Sequence, residues 1–137
     1  MEPTDFLDDQ EQPQRSVSSA ISNLVVRITR EYTGRGPTQA RTYMQEDLIT
    51  VVLRETLTKG ELKLANTGYA DHVRATRRYF QDAMREEIVT GIEKLTGRRV
   101  IAFLSDSHFD PDLAVELVLL EPQVTEEIPE TGASDPR

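Results

Sequence analysis

The chain has 137 residues, a formal net charge of −8, 37% hydrophobic residues and no cysteine. That length predicts one domain, and the missing cysteine excludes disulfides, thiol nucleophiles and cysteine-based zinc sites. The acidic balance argues against a nucleic-acid-binding domain, which is usually basic.

The charge is unevenly spread. Residues 1–15 carry −4 and residues 122–137 carry −3, which leaves −1 for the core. Both ends hold prolines and few large apolar groups, so they bury too little to offset the entropy of ordering. The expected organisation is an acidic disordered tail at 1–15, a single α+β domain at 16–121 and a second acidic disordered tail at 122–137. No apolar run approaches the roughly 20 residues of a membrane-spanning helix. The acidic N-terminus lacks the apolar stretch of a signal peptide.

In chain order, a helix is predicted from about Ser16 to Tyr32, because Val17, Ala20, Ile21, Leu24, Val25, Ile28 and Tyr32 recur at three- and four-residue steps. Thr33-Gly34 should end it, and Pro37 forbids its resumption. Ala40 to Gln45 and Leu48 to Glu55 read as a hairpin turning at Glu46-Asp47, a turn without glycine. The second strand is apolar on both faces. Thr58 and Glu61 match a capping box, which places a helix start at Thr58. Gly68 should close that short helix. A long helix follows, from about Tyr69 to Thr96, with its stripe on Val73, Thr76, Phe80, Ala83, Met84, Ile88, Ile92 and Leu95. At 1.5 Å per residue it is roughly 40 Å long, more than so small a core needs, so one end is expected to project or to pair with another chain. Val100 to Asp106 and Leu113 to Glu121 form a second hairpin. The last strand is nearly continuously apolar, interrupted by Glu116. The order α-β-β-α-α-β-β predicts a four-stranded antiparallel sheet with helices on one face.

Four stretches carry a family likeness. They are Glu31-Tyr-Thr-Gly-Arg-Gly-Pro37, Thr56-Leu-Thr-Lys-Gly-Glu61, Arg77-Arg-Tyr-Phe-Gln-Asp-Ala-Met-Arg85 and Leu95-Thr-Gly-Arg-Arg-Val-Ile-Ala-Phe-Leu-Ser-Asp106, the last running on into His108-Phe109-Asp110-Pro111-Asp112. In order and spacing they resemble the bacterial MpsC-like family, formerly a domain of unknown function. The likeness covers about residues 16–121 and leaves out both tails. It implies a link to a sodium-translocating, membrane-potential-generating system, in which small members without membrane spans serve as accessory proteins. It implies no catalytic residues.

Several residues are candidates for a site, each beside a plainer role. Arg35 and Gly36, with Arg41, could bind an anion in a loop of exposed N–H groups, although a helix stop followed by an extended segment explains the two glycines and Pro37. Lys59 could assist an anion at the helix start, although the capping box explains Thr58 and Glu61 without one. Asp106, His108, Asp110 and Asp112 have the composition of a metal site, but Asp and Pro are ordinary hairpin-turn residues and the structural turn is favoured. Arg74, Arg77, Arg78 and Arg85 interleave with acids on the long helix and read as a solvated, ion-paired face. The sequence names no catalytic residue and no cofactor.

The resulting expectation is a cytoplasmic, non-enzymatic accessory or regulatory protein, peripheral to the membrane only through a partner. It should form a homodimer and contact membrane transporter subunits, but not nucleic acid. The alternative is a small-ligand or anion sensor, with a small enzyme third.

Overall fold

The structure is a computed structural model and describes residues 12–123. Of the tails expected at 1–15 and 122–137, residues 1–11 and 124–137 lie outside the described residues, whereas residues 12–15 belong to the first helix. Seven elements follow in the expected order: α1 (Gln12–Thr33), β1 (Gln39–Gln45), β2 (Leu48–Arg54), α2 (Lys59–Asn66), α3 (Ala70–Thr96), β3 (Val100–His108) and β4 (Leu113–Leu120).

α1 starts a turn earlier than its apolar stripe predicts. Pro13 is tolerated there because the first N–H groups of a helix have no intrahelical partner. The helix buries Ile21, Val25, Ile28 and Thr29. It stops where Gly34 takes φ +80° and donates its N–H to the Arg30 carbonyl at 2.9 Å.

The sheet is antiparallel throughout, in the order β1-β2-β4-β3. The two hairpins meet through their more apolar strands, so β2 and β4 lie at the centre and the more polar β1 and β3 form the edges. The Glu46-Asp47 turn puts a non-glycine residue, Glu46, at φ +56°. Its neighbour holds it: Asp47 pairs with Arg98, and the Asp47 carbonyl accepts the Leu120 N–H at 2.8 Å.

All three helices leave one sheet face uncovered. α1 lies over β1 and α3 over β3, and together they cover the inner face. That face presents Ile49, Val51 and Leu53 from β2, Ala114, Val118 and Leu120 from β4, and Phe103 from β3.

The length of α3 is used inside the molecule rather than projecting. Arg77, in its first half, reaches Glu61 of α2. Near its other end, Gly91 lies so close to α1 that a Cβ there would come within 2.6 Å of a Leu24 methyl. Its buried stripe is Val73, Arg77, Met84, Ile88 and Ile92. Thr76 and Ala83 are exposed, and Leu95 is 38% exposed. An arginine thus occupies the position expected for Thr76, because α2 brings it a carboxylate.

The α2 start matches its sequence motif. Thr58 Oγ1 accepts the Glu61 N–H at 3.1 Å, and Glu61 Oε1 accepts the Thr58 N–H at 2.8 Å. Thr58→Ala should lower stability by about 1 kcal/mol, the usual cost of a lost N-cap. Urea unfolding should show this as a lower midpoint at unchanged m-value.

Candidate functional site

The residues singled out in the sequence do not converge. Arg35 Nε donates to the Glu55 carbonyl at 3.2 Å, which ties the α1–β1 loop to the end of β2. Gly36 lies under Arg30, where a Cβ would approach the guanidinium to 3.0 Å. Arg41 stands on the uncovered sheet face, and Lys59 is exposed at the first turn of α2. Arg35 and Gly36 share the α1–β1 loop, whereas Arg41 lies on β1 and Lys59 on α2.

The β3–β4 loop is used structurally at one end. Asp112 Oδ1 accepts the Thr56 N–H at 3.1 Å and Oδ2 accepts the Leu57 N–H at 3.2 Å, while the Asp112 carbonyl accepts the Glu55 N–H at 2.9 Å. Both carboxylate oxygens therefore hold the β2–α2 connection, where Glu55 sits at φ +58°. His108 Nδ1 lies 2.8 Å from the Pro111 carbonyl, and Asp106 Oδ1 accepts the Ser107 N–H at 2.8 Å. Asp110 precedes a cis peptide bond to Pro111. Among the described residues, no three His, Asp or Glu side chains are grouped to hold a metal ion.

Beneath the helices lies a polar cluster that the sequence reading missed. Arg77 is only 5% exposed, and its guanidinium lies 3.3 Å from Glu61 Oε1, the oxygen that also caps α2. This corrects the expectation that Arg77 belongs to a solvated face. Arg85 is exposed as expected, but it meets an aromatic ring rather than an acid: it stacks over the Phe103 ring at 5.0 Å and donates to the Phe103 carbonyl. Glu116, 3% exposed, projects from β4 into the same region. Burial pushes its carboxyl up from the ordinary 4.5 to about 7, eased in part by the Ser105 hydroxyl and by the charges of Arg77 and Arg85. The Ser105 help is weak, since neither Ser105 Oγ nor Glu116 Oε1 has a well-aligned hydrogen bond. Arg77 is already neutralised by Glu61, so Glu116 keeps its proton into the neutral range.

A cavity of about 10 Å³ lies among Thr29, Thr56, Arg77, Gln81, Ser107 and Glu116. That is the lower limit for one water molecule and far too small for a substrate. The signs were present in the sequence. Glu116 alternates with Ala114 and Val118 on the inward side of β4, and Arg77 follows Val73 by one helical turn.

The uncovered sheet face is the second feature. It carries Tyr43, Leu48, Val52, Leu104, Leu117 and Leu119. Tyr43 is 54% and Leu104 64% exposed. Towards the β1 edge, Gln39, Arg41, Tyr43, Val52 and Arg54 line a depression of about 210 Å³. Two arginines in one concavity can meet an acidic group. Asp106 and His108 stand on the same face at the opposite edge.

Residues 13–122 match the family model described as "Na+-translocating membrane potential-generating system (MpsC)". The chain belongs to the MpsC family. A curated relative is the uncharacterized protein YrhF of Bacillus subtilis (strain 168), 23% identical over 109 residues, which covers 78% of this chain and 89% of the relative. No solved structure matches the chain. Among the described residues, no helix of this MpsC-family chain is long and apolar enough to cross a membrane.

An open groove of about 1010 Å³ lies between α1 and α3, near Leu24, Ile28, Tyr32, Glu87, Gly91 and Leu95. Arg27, Glu86 and Lys94 also line it, so the groove is charged as well as apolar.

Two tests follow from this geometry. Asp112→Ala frees two backbone N–H groups from a charged acceptor and should destabilise by about 2–3 kcal/mol. Asp110→Ala should stay within about 0.5 kcal/mol, as exposed positions usually do. Equal losses in the two variants would show that Asp112 is not the clamp.

Glu116 should make stability depend on pH. The unfolded carboxyl titrates near 4.5 and the folded one near 7, so between these values only the folded state holds the proton. The Glu116 contribution is fully present below pH 4.5 and is lost as pH rises through 7, a change on the order of 3 kcal/mol. Glu116→Gln, which cannot ionise, should gain on the wild type steadily across that window in urea titrations. A constant difference between the two proteins from pH 5 to pH 8 would show that Glu116 does not titrate there.

Proposed function

We propose that this protein is a non-enzymatic, cytoplasmic accessory protein of a membrane cation or inorganic-carbon transport system, that it works as a homodimer and that it reaches the membrane only through its partners. The observation that carries this reading is the apolar sheet face that no helix covers. Contiguous exposed apolar surface of this kind marks interaction sites. The family description supplies the transport setting. In this reading the ion path belongs to other chains. The buried carboxyl beside Arg77 supports a structural rather than a catalytic role, since its cavity has no room for a substrate.

The test is recovery of the full-length, tagged protein from cross-linked native membranes, with co-purifying chains identified by mass spectrometry. A polytopic cation- or bicarbonate-transport subunit at near-stoichiometric level is the expected result. Recovery without any transport subunit would overturn the transport link.

One observation favours a second reading, an anion sensor. The depression beneath Arg41 and Arg54 is large enough for bicarbonate or phosphate. A ligand that binds only the native state must raise the melting temperature. The accessory reading expects bicarbonate and phosphate to do no more than chloride at equal ionic strength. A saturable rise that disappears in Arg41→Ala would favour the sensor.

A further inference from the structure

We infer that the uncovered sheet face is closed by the same face of a second copy, related by a two-fold axis running along the strands, with Arg41 of each copy set against Asp106 of the other. The inference rests on the homodimer proposed above and adds which surface pairs, in what orientation and through which charges.

The strand register carries the argument. Arg41 lies opposite Val52, Val52 opposite Val115, and Val115 opposite Asp106, so these four residues form one row across the sheet. The next rows are Tyr43, Thr50, Leu117 and Leu104, and then Gln45, Leu48, Leu119 and Ala102. A two-fold axis along the strands exchanges left and right within each row and preserves position along the strand. It therefore sets β1 on β3 and β2 on β4 of the other copy. Val52 meets Val115, Leu48 meets Leu119, Thr50 meets Leu117 and Tyr43 meets Leu104. The row ends with Arg41 on Asp106, twice per dimer. Sheets packed at the usual angle of about 30° keep such facing pairs close to one another near the axis. An axis running across the strands would instead stack β1 on β1 and β3 on β3. That arrangement gathers the arginines on one side and the aspartates on the other, with no counter-charge opposite either.

Three further observations agree. Within one molecule Arg41 and Asp106 are three strand spacings apart, about 14 Å. They cannot pair with each other, and that separation exceeds the screening length of about 8 Å at physiological salt. Among the described residues, no carboxylate lies within ion-pair distance of Arg41. The face is also concave where the acid arrives: Arg41 and Arg54 border the depression of about 210 Å³, and Asp106 stands on the opposite edge as its complement. Finally, four strands about 4.8 Å apart and seven residues long present roughly 19 by 23 Å, about 440 Å² in projection. The apolar middle of that area, from Leu48 and Val52 to Leu117 and Leu119, is an exposed patch of the kind that marks interaction sites. Two such faces lie at the lower end of specific interfaces, so association in the micromolar range is expected. The edge charges then set register and orientation more than affinity.

The test uses the full chain in sedimentation equilibrium from about 1 to 200 μM, with circular dichroism to establish that each variant is folded. The wild type should approach twice the 15.5 kDa chain mass. Arg41→Asp and Asp106→Arg each place like charges together twice and should weaken association at least tenfold. The double variant Arg41→Asp/Asp106→Arg should recover to within about threefold of wild type. An equimolar mixture of the two single variants should also associate, because each supplies the charge that the other needs; damage to the fold could not be rescued by mixing. A wild type that stays monomeric throughout overturns both this geometry and the homodimer. A wild-type dimer indifferent to the charge reversals, or not restored by the double variant and the mixture, overturns this geometry alone. A monomer whose melting temperature rises saturably with inorganic phosphate, an effect lost in Arg41→Asp, assigns the depression to a small anion and overturns the inference.

Discussion

The central strands β2 and β4 are apolar on both sides, and the molecule has helices for only one of them. Everything else in the architecture is arranged around that imbalance. On the inner side, Ile49, Val51, Leu53, Val118 and Leu120 meet α1 and α3, and burying this surface supplies most of the driving force for folding. On the outer side, Leu48, Val52, Leu117 and Leu119 have no cover within the chain. Pairing the two hairpins through β2 and β4 concentrates apolar surface at the sheet centre and moves charge to the edges. The same choice that builds the core thus produces an outer face with an apolar middle and Arg41 and Asp106 at its ends.

The polar groups on the inner side need a different account. Glu61 serves twice: it completes the α2 capping box and neutralises Arg77. Asp112 puts both carboxylate oxygens and its backbone carbonyl on the connection leading into α2. These two carboxylates fix α2 against α3 and against the end of the sheet, so a helix with no buried residue of its own is held in place by polar contacts. Glu116 is the exception. With Arg77 already balanced, it gains little from ionising in so dry a place and retains its proton. Its raised pKa reflects crowding by core residues, and the small cavity beside it gives the group no access to anything larger than water.

Much of the fold was legible in the sequence because it is encoded locally. The stripe of α1, Gly34 at φ +80° after it, the Thr58 and Glu61 box and the nearly continuous apolar run of β4 each concern residues a few positions apart. The site was much less legible. Asp112 has the composition of a metal ligand, and only the backbone amides of Thr56 and Leu57, far off in the chain, show that its oxygens are taken. Arg77 looks like one of several surface arginines until α2 folds over it. Arg41 and Asp106 carry no mutual signal, since they sit on the two outer strands of different hairpins.

The sequence by itself determined the number, kind and order of the elements, the start of α2, the family, and the excess of apolar surface on the strands. Periodicity and capping are properties of neighbouring residues, and apolar excess is a property of composition. Tertiary structure decided the strand order β1-β2-β4-β3, the burial of Arg77 and Glu116, and the alignment of Arg41 with Asp106 in one row. Each of these depends on which distant segments meet, and that is settled by the joint burial of two hairpins and three helices rather than by any one segment's preference.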